Sequence, residues 1–231
     1  PPPNAPPIPP IVTRFAPSPN GALHIGHALS AMLAAETARL FANGHYYVRI
    51  EDIDATRSRA EHIDGIVTDL DWLGLSGDMP PVMQSARTDA HRAALDDLRA
   101  RGLVYRCFCS RSDIAAALKV TPVLHGPDGP AYPGTCRALS ESEAAARATT
   151  TPHCWRLDMA KALAYVKPLH PNLTWQEAGE GDTPADPLPF GDVVLWRKDA
   201  PASYHLASVL DDAAEGVTHI VRGRDLYAYT A

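Results

Sequence analysis

The chain has 231 residues and a formal charge of −6 at pH 7, long enough for one large domain or two small ones around a buried core. That charge argues against a protein that coats nucleic acid without regard to sequence, but leaves room for a local basic face toward one RNA. No run of about 18 apolar residues occurs, so no stretch reads as a membrane-spanning helix.

Seven of the first ten residues are proline, and residues 1–10 read as a disordered or polyproline leader. They lack the basic-then-apolar layout of a signal peptide. Ile11–Phe15 is a short apolar run with strand character, followed by the turn Ala16-Pro17-Ser18-Pro19-Asn20-Gly21. The helix predicted next places Ile25, Leu29, Met32 and Leu33 on one face. Tyr46–Ile50 is a second strand, with Glu51-Asp52-Ile53-Asp54 at its carboxyl end, where open α/β sheets collect their ligand groups. Ile63, Ile66, Val67 and Leu70 keep helical spacing up to Gly74, and a further helix runs from about Thr88 to Arg101 and stops at Gly102. Alternating strands and helices predict a parallel sheet with crossover helices.

From Leu103 the texture changes. Cys107-Phe108-Cys109 leads to a short helix, a Pro/Gly-rich loop over Thr121–Gly134, the capping box Ser140-Glu141-Ser142-Glu143, and a turn-rich stretch over Val166–Pro189. Residues 103–187 therefore read as an insertion. Regular structure resumes with a strand over Gly191–Arg197, a helix over Ser203–Ala214 and a strand over Val217–Val221. The expected segments are the leader (1–10), the first half of a nucleotide-binding domain (11–102), the insertion (103–187) and the second half (188–231).

The chemistry starts at the first turn. Strand, Pro/Gly turn and helix present backbone N–H groups to an anion. His24 and His27 can add imidazole donors to phosphate oxygens without a bulky fixed cation. Gly26 between them leaves room for a nucleotide against the backbone, so an ATP site is expected here. Lysine occurs only at 119, 161, 167 and 198; the other basic residues are arginines, suited to bidentate carboxylate and phosphate contacts. Four cysteines, two of them at Cys-x-Cys spacing, point to metal and a reducing cytoplasm. Cys107 and Cys109 beside the distant Cys136 suit three thiolates with an oxygen as fourth ligand, a tetrahedral structural zinc. Cys154, in the strand-like Cys154–Leu157, reads as a core residue.

Arg14-Phe15-Ala16-Pro17-Ser18-Pro19 with His24-Ile25-Gly26-His27 resembles the first signature of class I aminoacyl-tRNA synthetases in its glutamyl/glutaminyl form. Arg49-Ile50-Glu51-Asp52-Ile53-Asp54 resembles the segment after that family's second strand. Ser203-Tyr204-His205-Leu206-Ala207-Ser208-Val209 with Asp211-Asp212, and Thr218-His219-Ile220-Val221-Arg222-Gly223-Arg224-Asp225-Leu226, are similar to its later substrate block. The resemblance implies a Rossmann-like α/β catalytic domain with a parallel sheet, interrupted by a zinc-bearing insertion that contacts RNA. It implies ATP held by Pro17, His24, Gly26 and His27, with His24 and His27 catalytic and magnesium arriving on the phosphates rather than in a protein cage. L-glutamate would be bound by Arg14, Phe15, Ala16, Pro17, Ser18, Glu51, Tyr204 and Arg222. Glu51 would pair with the α-ammonium, and Arg14 and Arg222 would share the side-chain carboxylate.

Tyr132-Pro133-Gly134-Thr135-Cys136 adds a Tyr-x-x-x-Cys half to the Cys-x-Cys pair. Together they resemble the pattern of the short family branch that attaches glutamate to the queuosine base of tRNA(Asp), and the resemblance makes Tyr132 the fourth zinc ligand. The stretch between the two halves is long for that branch, with the extra residues around Leu124–Pro130. The implied partners are L-glutamate, ATP and queuosine-bearing tRNA(Asp), with no membrane and a monomeric enzyme. The family's Lys-Met-Ser-Lys-Ser loop, which follows the segment matching Arg222, is absent, and the chain reads as C-terminally truncated. Two other readings stay open at the level of sequence: the catalytic part of a glutamyl-tRNA synthetase charging tRNA(Glu), and a non-catalytic glutamate- or RNA-binding homologue.

Overall fold

The computed structural model describes residues 9–126 and 129–231; the proline-rich leader, through residue 8, lies outside the described residues. By its internal contacts the chain forms two compact units. The first runs to Thr88 and includes Ser208–Arg224; the second comprises Asp89–Ala207 and Asp225–Ala231.

The first unit carries β1 (Val12–Phe15), α1 (Ile25–Arg39), β2 (His45–Ile50), α2 (Ala60–Trp72) and β3 (Val82–Met83). The expected parallel sheet is present in the order β1-β2-β3, with Phe15 beside Val48 and Ile50 beside Met83. Phe15, Val48, Ile50, Ile66 and Leu70 form its core. Full burial of Ile66 and Leu70 alone contributes about 3–6 kcal/mol of hydrophobic free energy. Gly44 turns the chain from α1 into β2; a Cβ there would lie 1.9 Å from the Ala38 carbonyl oxygen.

One expectation reverses in α1. Its buried face is the small stripe Ala31, Ala34, Ala35 and Ala38, whereas Ile25, Leu29, Met32 and Leu33 are exposed. Alanines let the helix backbone approach the sheet closely, and the Thr13 hydroxyl donates 2.8 Å to the Ala34 carbonyl. The strand expected over Val217–Val221 also does not form. Thr218 and His219 both direct backbone N–H groups to the Val12 carbonyl, while the Thr218 hydroxyl accepts from Val12 N–H. A side chain thus takes the place of a ladder bond beside β1.

The second unit contains α3 (Thr88–Ala100), which begins at the boundary, then β4 (Val104–Cys107), α4 (Arg111–Leu118), the small hairpin β5 (His125–Gly126) and β6 (Gly129–Pro130), and α5 (Glu141–Ala148). There follow β7 (Cys154–Leu157), α6 (Met159–Val166), the hairpin β8 (Thr174–Glu177) and β9 (Gly181–Pro184), β10 (Val194–Trp196), and α7 (Tyr204–Ala214). The capping box at Ser140 forms as its sequence predicts, with reciprocal Ser140–Glu143 bonds, and Ser110–Asp113 repeats it at α4. β10 pairs antiparallel with β7, and β7 with β4. The strand expected over Gly191–Arg197 therefore belongs to this antiparallel sheet, and residues 188–207 fall in the second unit. α7 changes unit after Ala207.

Candidate active site

In the first unit, the loop after β1 is tied to the end of β2 by Glu51 N–H donating 2.9 Å to the Pro17 carbonyl. Pro17 is buried, Ala16 half-buried and Ser18 exposed; Phe15 packs in the core. The loop ends at the N-cap of α1, where the histidines stand. His24 Nδ1 accepts from Gly26 N–H at 3.1 Å, and His27 Nδ1 accepts from His24 N–H at 3.2 Å. The two rings stack with centroids 3.8 Å apart. These bonds need a lone pair on each Nδ1, which places the proton on Nε2 in the neutral rings. Burial, reinforced by the neighbouring His24, holds the His27 imidazole below its ordinary pKa. Both rings therefore cap the helix with one nitrogen and keep the other N–H as a donor. A Cβ on Gly26 would meet the His24 ring at 3.0 Å, so this glycine lets the ring fold over the helix start.

Behind this turn lies a ladder of buried charges. Arg14, at the end of β1, is held in a fork by Asp212: Nε to Oδ1 at 3.0 Å and Nη2 to Oδ2 at 3.2 Å. Arg49, fully buried in β2, contacts Asp212 Oδ1 and Glu215 Oε2 through Nη1, each at 2.8 Å. Its Nη2 lies 3.5 Å from Glu51 Oε1, an ion-pair contact without hydrogen-bond geometry. Two guanidiniums thus face three carboxylates. Burial pushes the Glu51 carboxyl up to about 7, against the pull of Arg49 and Arg14. Next along the helix, Asp211 is fully buried, accepting from Gln84 Nε2 at 2.8 Å and pairing with Arg87 at 2.7 Å.

Arg222 differs from both. It is half-buried, lies in irregular chain after residue 221, and among the described residues makes no ion pair or side-chain hydrogen bond. Arg49, Asp212 and Glu215 are the residues sequence reasoning left without a role. Their signal was present: an arginine between the apolar Val48 and Ile50 of a strand, and acids at 211 and 212 on one helix with Glu215 just after its end.

In the second unit, Tyr204 is exposed at the first turn of α7. The three cysteines expected to bind metal come together there. The sulfurs of Cys107, Cys109 and Cys136 lie within 4.8 Å of one another. Cys109 and Cys136 sulfurs are 3.6 Å apart, and the Tyr132 hydroxyl is 3.3 Å from Cys107 Sγ and 3.4 Å from Cys109 Sγ. A tetrahedral zinc with bonds of about 2.3 Å to sulfur needs edges of about 3.7 Å, so four donors of this set fit the ion. The Arg156 guanidinium lies 3.9 Å over the Tyr132 ring. Cys154 is buried in β7, its thiol 3.5 Å from the Cys107 carbonyl and in hydrogen-bond contact with the Cys107 thiol, outside the three-sulfur group. Asp192 is buried and bonds Tyr105 Oη, Arg137 Nε and Met159 N–H, tying the loop that carries Cys136 to β4 and α6.

A nucleotide-type strand–turn–helix, a charge ladder at the ends of parallel strands and a thiol cluster define a class I synthetase catalytic domain. The family model described as "tRNA synthetases class I (E and Q), catalytic domain" matches residues 10–231, and the chain belongs to that family. A Rhodobacter capsulatus protein named glutamyl-Q tRNA(Asp) synthetase is 43% identical over 223 residues, covering 95% of this chain and 79% of that protein. One of the same name from Symbiobacterium thermophilum is 40% identical, covering 92% and 65%. Among solved structures, the glutamate tRNA ligase of Elizabethkingia meningosepticum superposes with a TM-score of 0.73 at 24% identity. The glutamate-tRNA synthetase of Elizabethkingia anophelis does so at 0.72 and 25%. The chain spans 45% of the length of each. Among the described residues no helix is long and apolar enough to cross a membrane.

Proposed function

We propose that this chain activates L-glutamate with ATP and transfers it to the queuosine base of tRNA(Asp). The observation that carries the glutamate assignment is the half-buried Arg222, a guanidinium without an ion-pair partner among the described residues in a unit whose Arg14 and Arg49 are both ion-paired. A ligand carboxylate is the group that would complete it. Glu51, held only loosely by Arg49, is the complementary group for the α-ammonium. Arg14 and Phe15, at the end of β1, and Ala16, Pro17 and Ser18, in the loop that follows, are assigned to glutamate with them, and Tyr204 is assigned by resemblance alone.

In the first step the α-carboxylate of glutamate attacks the α-phosphorus of ATP, forming the mixed anhydride and releasing pyrophosphate. His24 and His27, with Nε2–H free to donate, stabilise charge on the phosphate oxygens. Pro17 and Gly26 shape the turn against which the nucleotide lies, and magnesium accompanies the phosphates. In the second step a cyclopentene hydroxyl of queuosine attacks the activated carbonyl; the ester forms and AMP leaves. We assign zinc to Cys107, Cys109, Tyr132 and Cys136, where it would fix the loop around α4 without entering the reaction.

The shared name of the relatives matching over 92–95% of this chain favours tRNA(Asp) over tRNA(Glu) as acceptor. The test is transfer of labelled glutamate by the purified chain to queuosine-bearing tRNA(Asp) and, separately, to tRNA(Glu). Charging of tRNA(Glu) alone would overturn the proposal. Absence of glutamate-dependent pyrophosphate exchange would favour a binding homologue.

A further inference from the structure

Asp212 is a shared acceptor. Its Oδ1 receives both Arg14 Nε, at 3.0 Å, and Arg49 Nη1, at 2.8 Å, while Oδ2 takes Arg14 Nη2 at 3.2 Å. Arg49 then reaches Glu51 with its other amino group. Four side chains thus run in series, Arg14–Asp212–Arg49–Glu51, and the two outer ones are those the proposed function gives to opposite ends of the amino acid. Arg14 spends its Nε and Nη2 on Asp212, leaving Nη1 for a ligand. A guanidinium used in this way offers one hydrogen bond instead of a fork.

We infer that Asp212 is a positioning residue that sets the length of amino acid the site accepts. The inference rests on the proposed glutamate activation. The ladder fixes the separation between a donor for the side-chain carboxylate and an acceptor for the α-ammonium. It is held inside the protein: Arg49 is fully buried, the Asp212 side chain is 14% exposed, and Glu215 holds the same Arg49 Nη1 as Asp212 does. Glutamate and aspartate differ by one methylene, which a simple apolar pocket separates weakly. A rigid spacing between two charged groups separates them more strongly, because the shorter molecule leaves one end unpaired.

The experiment compares Asp212→Asn and Asp212→Glu with the parent chain in amino-acid-dependent pyrophosphate exchange, using glutamate and aspartate separately. Asp212→Asn is expected to raise the KM for glutamate roughly tenfold with kcat changed less than about threefold, and to reduce the glutamate-to-aspartate ratio of kcat/KM by roughly tenfold. Asp212→Glu keeps the charge but lengthens the bridge by one methylene, and is expected to change the ratio without loss of melting temperature. A purely structural ion pair would lower the melting temperature of Asp212→Asn and leave the ratio unmoved; that result would overturn the inference. If Asp212→Asn does not fold, Asp212→Glu decides by the same ratio.

An independent reading comes from the nitrogen-15 signal of Arg14 Nε. It should be protected from exchange in the parent chain and exposed in Asp212→Asn. An unchanged signal would overturn the bridge whatever the activity. A parent chain that exchanges with neither amino acid refutes glutamate activation and the length assignment that rests on it. A parent chain that exchanges with glutamate while both variants keep its selectivity refutes the length assignment alone.

Discussion

The charge ladder of the first unit and the thiol cluster of the second are both buried polar centres, but they are completed differently. Arg49 and Arg14 are surrounded by Asp212, Glu215 and Glu51, so the protein supplies its own counter-charges. Cys107, Cys109 and Cys136 are grouped with the Tyr132 hydroxyl, and Arg156, stacked on the Tyr132 ring, also hydrogen-bonds the Cys107 thiol. A buried ion-pair network holds its geometry without ligand, whereas three converging thiols do not all ionise together without a cation among them: hydrogen bonds from Cys154, Tyr132 and Arg156 hold Cys107 down to about 4, while burial pushes Cys109 up to about 11. Under the proposed function, the first centre serves a substrate and the second an ion.

Removing that ion should give the largest effect. Metal-binding free energy on the order of 10 kcal/mol is coupled to folding in small zinc sites. Treatment with a strong chelator should release one zinc per chain, lower the melting temperature and make Cys107, Cys109 and Cys136 reactive to a thiol reagent. A protein that melts unchanged with no metal released would break the contrast. The ladder predicts the opposite response, with Arg14 Nε protected in ligand-free protein.

Within the first unit the contrast narrows to Arg222 against the paired arginines. Arg222→Ala should weaken glutamate binding by about 2–5 kcal/mol, the range for one partner of a buried charge pair, and leave the melting temperature nearly unchanged. Calorimetric titration with glutamate checks the first statement and thermal melting the second. Asp211→Ala should do the reverse. It deprives Gln84 and Arg87 of their acceptor and should cost about 3 kcal/mol of stability, the low end for a broken buried pair because Arg87 reaches solvent. Denaturant unfolding measures that loss.

What the sequence made legible follows from the range of the interactions involved. The parallel pairing of β1 and β2, the helix over 60–72 and the cap at Ser140 depend on local pattern, and they form where local pattern puts them. The buried face of α1 did not follow from it. Leu29, Met32 and Leu33 satisfy helical periodicity as well as Ala31, Ala34 and Ala35 do, and only the closeness of the sheet selects the smaller set. The strand at 217–221 was lost to a single hydroxyl, Thr218 on Val12 N–H. Of the candidate site, Arg14, Glu51, His24 and His27 stand in one unit close to the motifs that announced them. The Asp212 bridge joins residues 198 positions apart, a pairing that spacing and composition do not encode.

A weaker effect tests how the ladder holds Glu51. With its pKa near 7, this carboxyl is about one-tenth ionised at pH 6 and nine-tenths ionised at pH 8. The ionised form pairs with an ammonium, so glutamate affinity should rise up to about tenfold across that interval. Glu51→Gln should bind more weakly and abolish the slope. The stability of ligand-free protein carries the other sign. A carboxyl whose pKa is raised on folding binds more protons in the native state, so its contribution declines as pH rises from 4.5 toward 7. Calorimetric titrations and melts at several pH values separate the two. A flat affinity profile would mean that Glu51 is ionised throughout or does not meet the ammonium.

The smallest effect on stability separates the two duties of His24. As N-cap it accepts from Gly26 N–H, and His24→Ala should cost about 1 kcal/mol of stability. Asparagine is among the best N-cap residues, so His24→Asn should restore most of that loss. It does not restore an Nε2–H at the reach of an imidazole, and pyrophosphate exchange should stay low in both variants. If His24→Asn recovers exchange together with stability, the ring serves the helix and not the phosphate, and His27 would then carry the donor role. If exchange falls alike in both while only the alanine variant melts early, then the cap and the donor are distinct functions of opposite nitrogens on one ring. The stacked partner His27 makes that outcome specific. It caps through the same nitrogen as His24, so the free N–H edge is the common feature of both residues.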